Sequence, residues 1–151
     1  MKLRIEIDPE GPEEIVIRSR EISDRLRRIQ ETIDRELNGS EEIAVRNGDD
    51  ECYLPYRELL FFETVDNRVY AHTAKDTYVC PLRLNDLTLL LPRYFARASK
   101  SCIVNTSRIR SISRGPTGVS TASFANCDKK AFISRMYYKI VREIIEETRL
   151  K

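Results

Sequence analysis

"ELLFFETVDNRVYAHTAKDTYVC", residues 58–80, holds three short runs rich in aromatic and β-branched residues, joined by "VDN" and "AKD". Runs of this length at this spacing are strand signals. Upstream, "EIAV" and "ECYLP" flank "RNGDD", whose Asn47-Gly48 is a hairpin signal. Downstream, Leu84, Leu87, Leu90 and Leu91 in "LRLNDLTLLLP" suggest a short helix that Pro92 ends. The strand pattern resumes through "YFARAS", "SCIVN" and "RIRSIS", turns at "RGPTG", and continues through "VSTASF" and "KAFIS". Tyr137, Val141, Ile144 and Ile145 put a helix at the tail. Many short strands with few helices predict a mainly β, α+β fold with short helices, not the β-α-β sheet of many enzymes.

The first forty residues differ. "KLRIEI" sets Leu3, Ile5 and Ile7 on one face, "DPEGPEE" is a turn cluster, and "EIVIRS" repeats the alternation with Ile15 and Ile17. Then Ile22, Leu26, Ile29, Ile33 and Leu37 recur every three or four residues as an apolar helical stripe. Ser19 or Ser23 caps its start and Asn38-Gly39 supplies the stop. The expectation is a β-β-α extension over residues 1–40 ahead of a domain over 41–151. Its stripe either packs on the β domain, the simpler reading, or meets a partner or a second copy.

With 151 residues, 41% hydrophobic and 33% charged, the chain fits one soluble domain with a small appendage. No apolar run approaches the roughly 18 residues of a membrane span, and the charged start is no secretory signal, so the expected location is cytoplasmic. Cys52, Cys80, Cys102 and Cys127 lie more than 20 residues apart among strand-forming neighbours, and His72 is the sole histidine. Buried reduced thiols are expected; a zinc site lacks ligands at usable spacing, and no metal or cofactor is expected. No nucleophile elbow surrounds His72, no phosphate loop exists, and the acidic runs read as solvated faces, so catalysis is not expected.

Charge is the informative quantity. Residues 1–66 carry 10 Lys/Arg against 18 Asp/Glu, a net of −8, whereas residues 93–139 carry 10 Lys/Arg against Asp128 alone, a net of +9. "RASKSCIVNTSRIRSI", residues 97–112, contains no acid. Arg and Lys neutralise phosphates, and Ser and Thr hydroxyls also bond phosphate oxygens. The basic run has few aromatics for stacking on single strands, which favours duplex DNA. The alternative is a β-rich protein-interaction module whose basic face meets an acidic protein or an anionic membrane.

Phe95, Arg97, Ser101, Ile103, Val104 and Asn105 spell an "F-x-R-x-x-x-S-x-I-V-N" core, followed by Ser134, Arg135 and Tyr137 as "S-R-x-Y". Over about residues 42–147 the sequence resembles the LytTR-type DNA-binding domain. The resemblance implies antiparallel β-sheets with short helices, and loops that enter successive major grooves of paired repeats. By position, the loops carry Asp66, Asn67 and Arg68, then Ser99, Lys100 and Ser101, then Ser134, Arg135, Met136 and Lys139. The family often has His-Arg-Ser or His-Asn-Ser where this chain has Ser-Lys-Ser; lysine is a point charge without the fork of arginine. Met136 stands where many members have arginine. Arg97 either holds a phosphate or pairs inside the fold, Asn105 satisfies turn backbone, and Arg108, Arg110 and Arg114 supply phosphate affinity or structural pairs.

Forty leading residues are too few for a phospho-acceptor receiver, so the resemblance is to the short stand-alone regulators. It implies duplex DNA as partner, a homodimer, and a small membrane protein encoded alongside as inhibitor.

Overall fold

A computed structural model of the chain describes residues 1–38 and 42–149. Ten strands follow one another from residue 42: β1 Glu42–Asn47, β2 Asp50–Pro55, β3 Phe61–Val65, β4 Arg68–His72, β5 Thr77–Cys80, β6 Phe95–Ser99, β7 Cys102–Asn105, β8 Ile109–Arg114, β9 Ser120–Phe124 and β10 Lys130–Ile133. Helix α1 spans Asp24–Asn38, α2 spans Leu84–Leu90 between β5 and β6, and α3 spans Tyr138–Arg149. The strands form a seven-stranded sheet in the order β2-β1-β5-β4-β3-β7-β6 and a three-stranded sheet in the order β10-β9-β8, antiparallel throughout. The expected mainly β, α+β architecture is the one observed.

Successive strand residues point to opposite faces, and here both faces of the central strands are covered. On β3, Phe62 joins a core with Val45, Leu59, Leu87 and Ile103, while its neighbour Phe61 joins a second core with Val104, Ile133 and Val141. This two-sided burial explains why "LLFF" and "CIV" read as continuous apolar runs and not as alternation. The register follows, with Phe61 opposite Val104 and Phe62 opposite Ile103. A one-residue slip would exchange the faces of both.

Buried Asn105 locks the turn after β7. Its Nδ2 donates to the Leu59 carbonyl at 2.8 Å, and its Oδ1 accepts from the backbone N–H and hydroxyl of Ser107 at 3.0 and 2.6 Å. It is the structural residue the sequence suggested.

The amino-terminal extension departs from expectation. Ser23 caps α1, accepting from Leu26 N at 3.1 Å; Gly39 and the expected 40/41 boundary lie outside the described residues. Neither of the two strands expected before α1 forms; among the described residues the first strand is β1. Leu3, Ile5 and Ile7 are 93, 81 and 89% exposed. The connecting turn supplies the reason. Gly11 N donates to Asp8 O at 3.3 Å, making Pro9 and Glu10 its central residues. Tight hairpins favour turns with positive φ at the first central residue, which proline's ring forbids. A hairpin closed on this turn would also set Glu6 opposite Glu13 and Ile5 opposite Glu14. Both cores draw their buried residues from Ile43 onward, and no described side chain of α1 is buried. The stripe therefore takes no part in the β-domain core; Leu26, Ile33 and Leu37 instead line an open groove with Ile15 and Ile17.

Candidate nucleic-acid interface

Three loops far apart in sequence reach one end of the molecule. The first joins β3 to β4. Val65 pairs with Arg68, and the two residues between, Asp66 and Asn67, have φ of 50° and 64°. Positive φ at both central positions defines the hairpin turn that follows strand twist, and Asp and Asn tolerate it best after glycine. Arg68 is exposed beside this turn.

The second loop joins β6 to β7. The register shifts between Arg97 and Ser99, so Ala98 is an extra residue that bends the strand just before Lys100. The Arg97 guanidinium braces the bend. Nε donates to the Ser99 carbonyl at 2.8 Å, one terminal nitrogen donates to Asn85 Oδ1 on α2 at 3.3 Å, and the other donates to the Lys100 carbonyl. These are hydrogen bonds of the internal kind, one of the two roles expected for Arg97. Ser99 Oγ accepts from Ser101 N at 3.2 Å, and the Ser101 carbonyl accepts from Thr64 N on β3 at 2.8 Å. That last bond ties the second loop to the first, leaving the Lys100 side chain exposed between two serines.

The third loop leads from β10 into α3. Ser134 N donates to the Ala98 carbonyl at 2.8 Å, so the bulge of the second loop also anchors the third. Ser134 O then accepts from Tyr138 N at 3.1 Å at the start of the helix. Arg135 lies against the β8–β9 turn, where a Cβ on Gly118 would meet its Nε at 3.0 Å; Gly118 has φ +87°. The Arg114 guanidinium sits 4.7 Å above the Tyr138 ring, a structural pair beside the same loop.

Asn67, Arg68, Lys100, Ser101, Arg135 and Lys139 are all exposed, with Ser99 and Ser134 half-buried. None of the ion pairs among the described residues involves Arg68, Lys100, Arg135 or Lys139. Such cations give up none of these ion pairs on meeting an anion. Arg108 and Arg110 are not brought to this end. They follow β7, whose four residues separate them from Lys100 by about 13 Å at strand rise. Near them Arg149 donates to the Ile109 carbonyl at 2.6 Å. The basic stretch 97–112 is thus divided between two ends of the sheet.

His72 lies behind the loops, stacked on Phe61 at 4.2 Å between ring centres. Its Nε2 meets Glu63 Oε1 at 2.8 Å, and its Nδ1 lies 3.3 Å from both Thr77 Oγ1 and Lys129 Nζ. Burial, and next the Lys129 ammonium, hold its pKa below the usual histidine value, against the pull of Glu63. Cys80 and Cys102 are buried and Cys52 and Cys127 half-buried; burial pushes the Cys102 thiol up to about 12. The sequence does not single out Asn85 or Gly118. Asn85 carried no signal, while Gly118 was visible only as a turn glycine.

Comparison with known proteins agrees with the fold. The model of the LytTr DNA-binding domain matches residues 49–146. An uncharacterized HTH-type transcriptional regulator of Staphylococcus aureus strain COL is 30% identical over 86 residues, 57% of this chain and 58% of that protein. Its counterpart in strain MW2 matches equally. The match therefore spans somewhat over half the length of these relatives. A solved LytTr DNA-binding domain, from a Bacillus cereus protein described as a methyl-accepting/DNA response regulator, superposes with TM-score 0.65 at 22% identity. It covers 71% of this chain and 98% of that domain.

Proposed function

The chain belongs to the LytTr DNA-binding domain family, and from that premise we propose that it is a transcriptional regulator that reads duplex DNA through its three converging loops. Lys100 and Arg68 approach base edges in one major groove, and Arg135 and Lys139 clamp the neighbouring backbone. Ser99, Ser101, Ser134 and Asn67 add hydrogen bonds to phosphate or bases. Arg97 acts through Lys100, by holding the loop carbonyls in place. Two such units, on paired repeats, make the full operator, and no chemical step is involved. Residues 1–40 act as a separate appendage to the domain over 41–151.

The observation that carries this reading is the convergence of loops around residues 67, 100 and 135, each bearing an exposed cation outside the ion pairs among the described residues. A β scaffold covered on both faces holds those loops rigidly, as direct readout requires. In contrast to a helix read along one face, the cations here come from two strand connections and the junction of β10 with α3, so spacing between contacts is set largely by the sheet.

Selection of genomic fragments by the purified chain tests the proposal, comparing wild type with Lys100→Ala and Arg135→Ala in moderate salt. Enrichment of paired repeats by wild type, and flattened discrimination by the variants, is expected. Equal binding of all fragments, or none, would overturn it and favour a basic face for an acidic protein or an anionic membrane.

A further inference from the structure

The unused apolar residues of the amino-terminal extension carry a self-complementary pattern. Leu3, Ile5 and Ile7 pair with no strand among the described residues, and the groove formed by Ile15, Ile17, Leu26, Ile33 and Leu37 is open. The in-chain hairpin is not merely unformed; it is mismatched. Closed on the Asp8–Gly11 turn, it would place Ile15 opposite Arg4 and Ile17 opposite Lys2, on the side away from Leu3, Ile5 and Ile7, which would instead face Val16, Glu14 and Pro12.

Pairing residues 2–8 with the same segment of a second copy removes the conflict. In the antiparallel register centred on Ile5, Leu3 faces Ile7, Arg4 faces Glu6 and Lys2 faces Asp8. Every apolar residue then meets an apolar one, and every cation meets an acid, twice over by symmetry. In the single chain Arg4 and Glu6 already sit 2.7 Å apart on one face, exposed; in the pair the same groups close across strands. We propose that the extension is a homodimerisation unit, in which residues 2–8 of two copies pair as antiparallel strands about Ile5 and lay their shared apolar face over the α1 grooves.

This inference is independent of DNA, so its test needs none. Sedimentation of the full chain at micromolar concentration, in low salt, is expected to show a dimer. Arg4→Glu should raise the dimer dissociation constant at least tenfold by setting Glu against Glu6. The double exchange Arg4→Glu with Glu6→Arg should restore it. Ile5→Pro, which removes a ladder donor at a position exposed in the single chain, should give a monomer with an unchanged melting temperature of the β domain. A wild-type chain that stays monomeric overturns the proposal. So does a dimer that survives Ile5→Pro, or a double exchange that fails to rescue.

Discussion

Arg97 shows how much a single side chain can do without touching a ligand. Its three donors go to two loop carbonyls and one side-chain oxygen, so Arg97→Ala leaves the bend before Lys100 unbraced. A cost of about 2 kcal/mol in urea unfolding is expected, from the typical worth of hydrogen bonds to charged groups. Lysine cannot reproduce the planar fork, so Arg97→Lys should recover little of that stability. His72 gives the pH counterpart. Its folded pKa lies below its unfolded value, so the unfolded chain binds more protons in the window between them. Stability should therefore fall as pH drops from about 6.5 toward the folded pKa and then level off. Melting temperature against pH measures this, and His72→Gln should flatten the slope. Both residues appear in the sequence as ordinary members of strand patterns. Neither the Arg97 carbonyl contacts nor the Phe61 stack leaves a trace there, because partners come from packing rather than spacing.

Among the elements, the strand connections bear the tightest constraints. Asn67 has φ 64° in a turn whose central residues both need the left-handed region. Asn67→Val should cost about 1–2 kcal/mol, since a β-branched side chain is strained there, whereas Asn67→Gly should be close to neutral; thermal melts distinguish them. Strand and helix existence from residue 42 onward was legible because local patterns suffice: alternation, continuous apolar runs, Pro92, and turn residues. Sheet order was not legible, since placing β5 beside β1 and β3 beside β7 depends on pairings distant in sequence. The amino-terminal segments show the opposite failure. A period of two reports that one face wants burial, yet says nothing about which edge will provide the ladder, and here none of the described residues provides it.

For the whole molecule, topology decides which charges act together. The basic run 97–112 suggested one patch, but β7 carries Arg108 and Arg110 away from Lys100, while β10 brings Arg135 toward it. The loop residues themselves are legible through family motifs; their convergence is a property of the fold. If they act jointly on DNA, replacing Lys100 by Ala should lower the slope of log affinity against log salt by about 1, and replacing Arg108 should leave it unchanged. Binding titrations at several salt concentrations measure both. The two-sided burial of β3 and β7 has one more consequence, for how such a protein can diversify. Register is fixed by Phe61, Phe62, Ile103 and Val104, none of which lies in a loop. The tips can therefore drift in sequence while their spacing relative to one another stays constant. On the proposed reading, new operators become reachable by exchanging a few letters at residues 67–68, 99–101 and 135, with no change of frame.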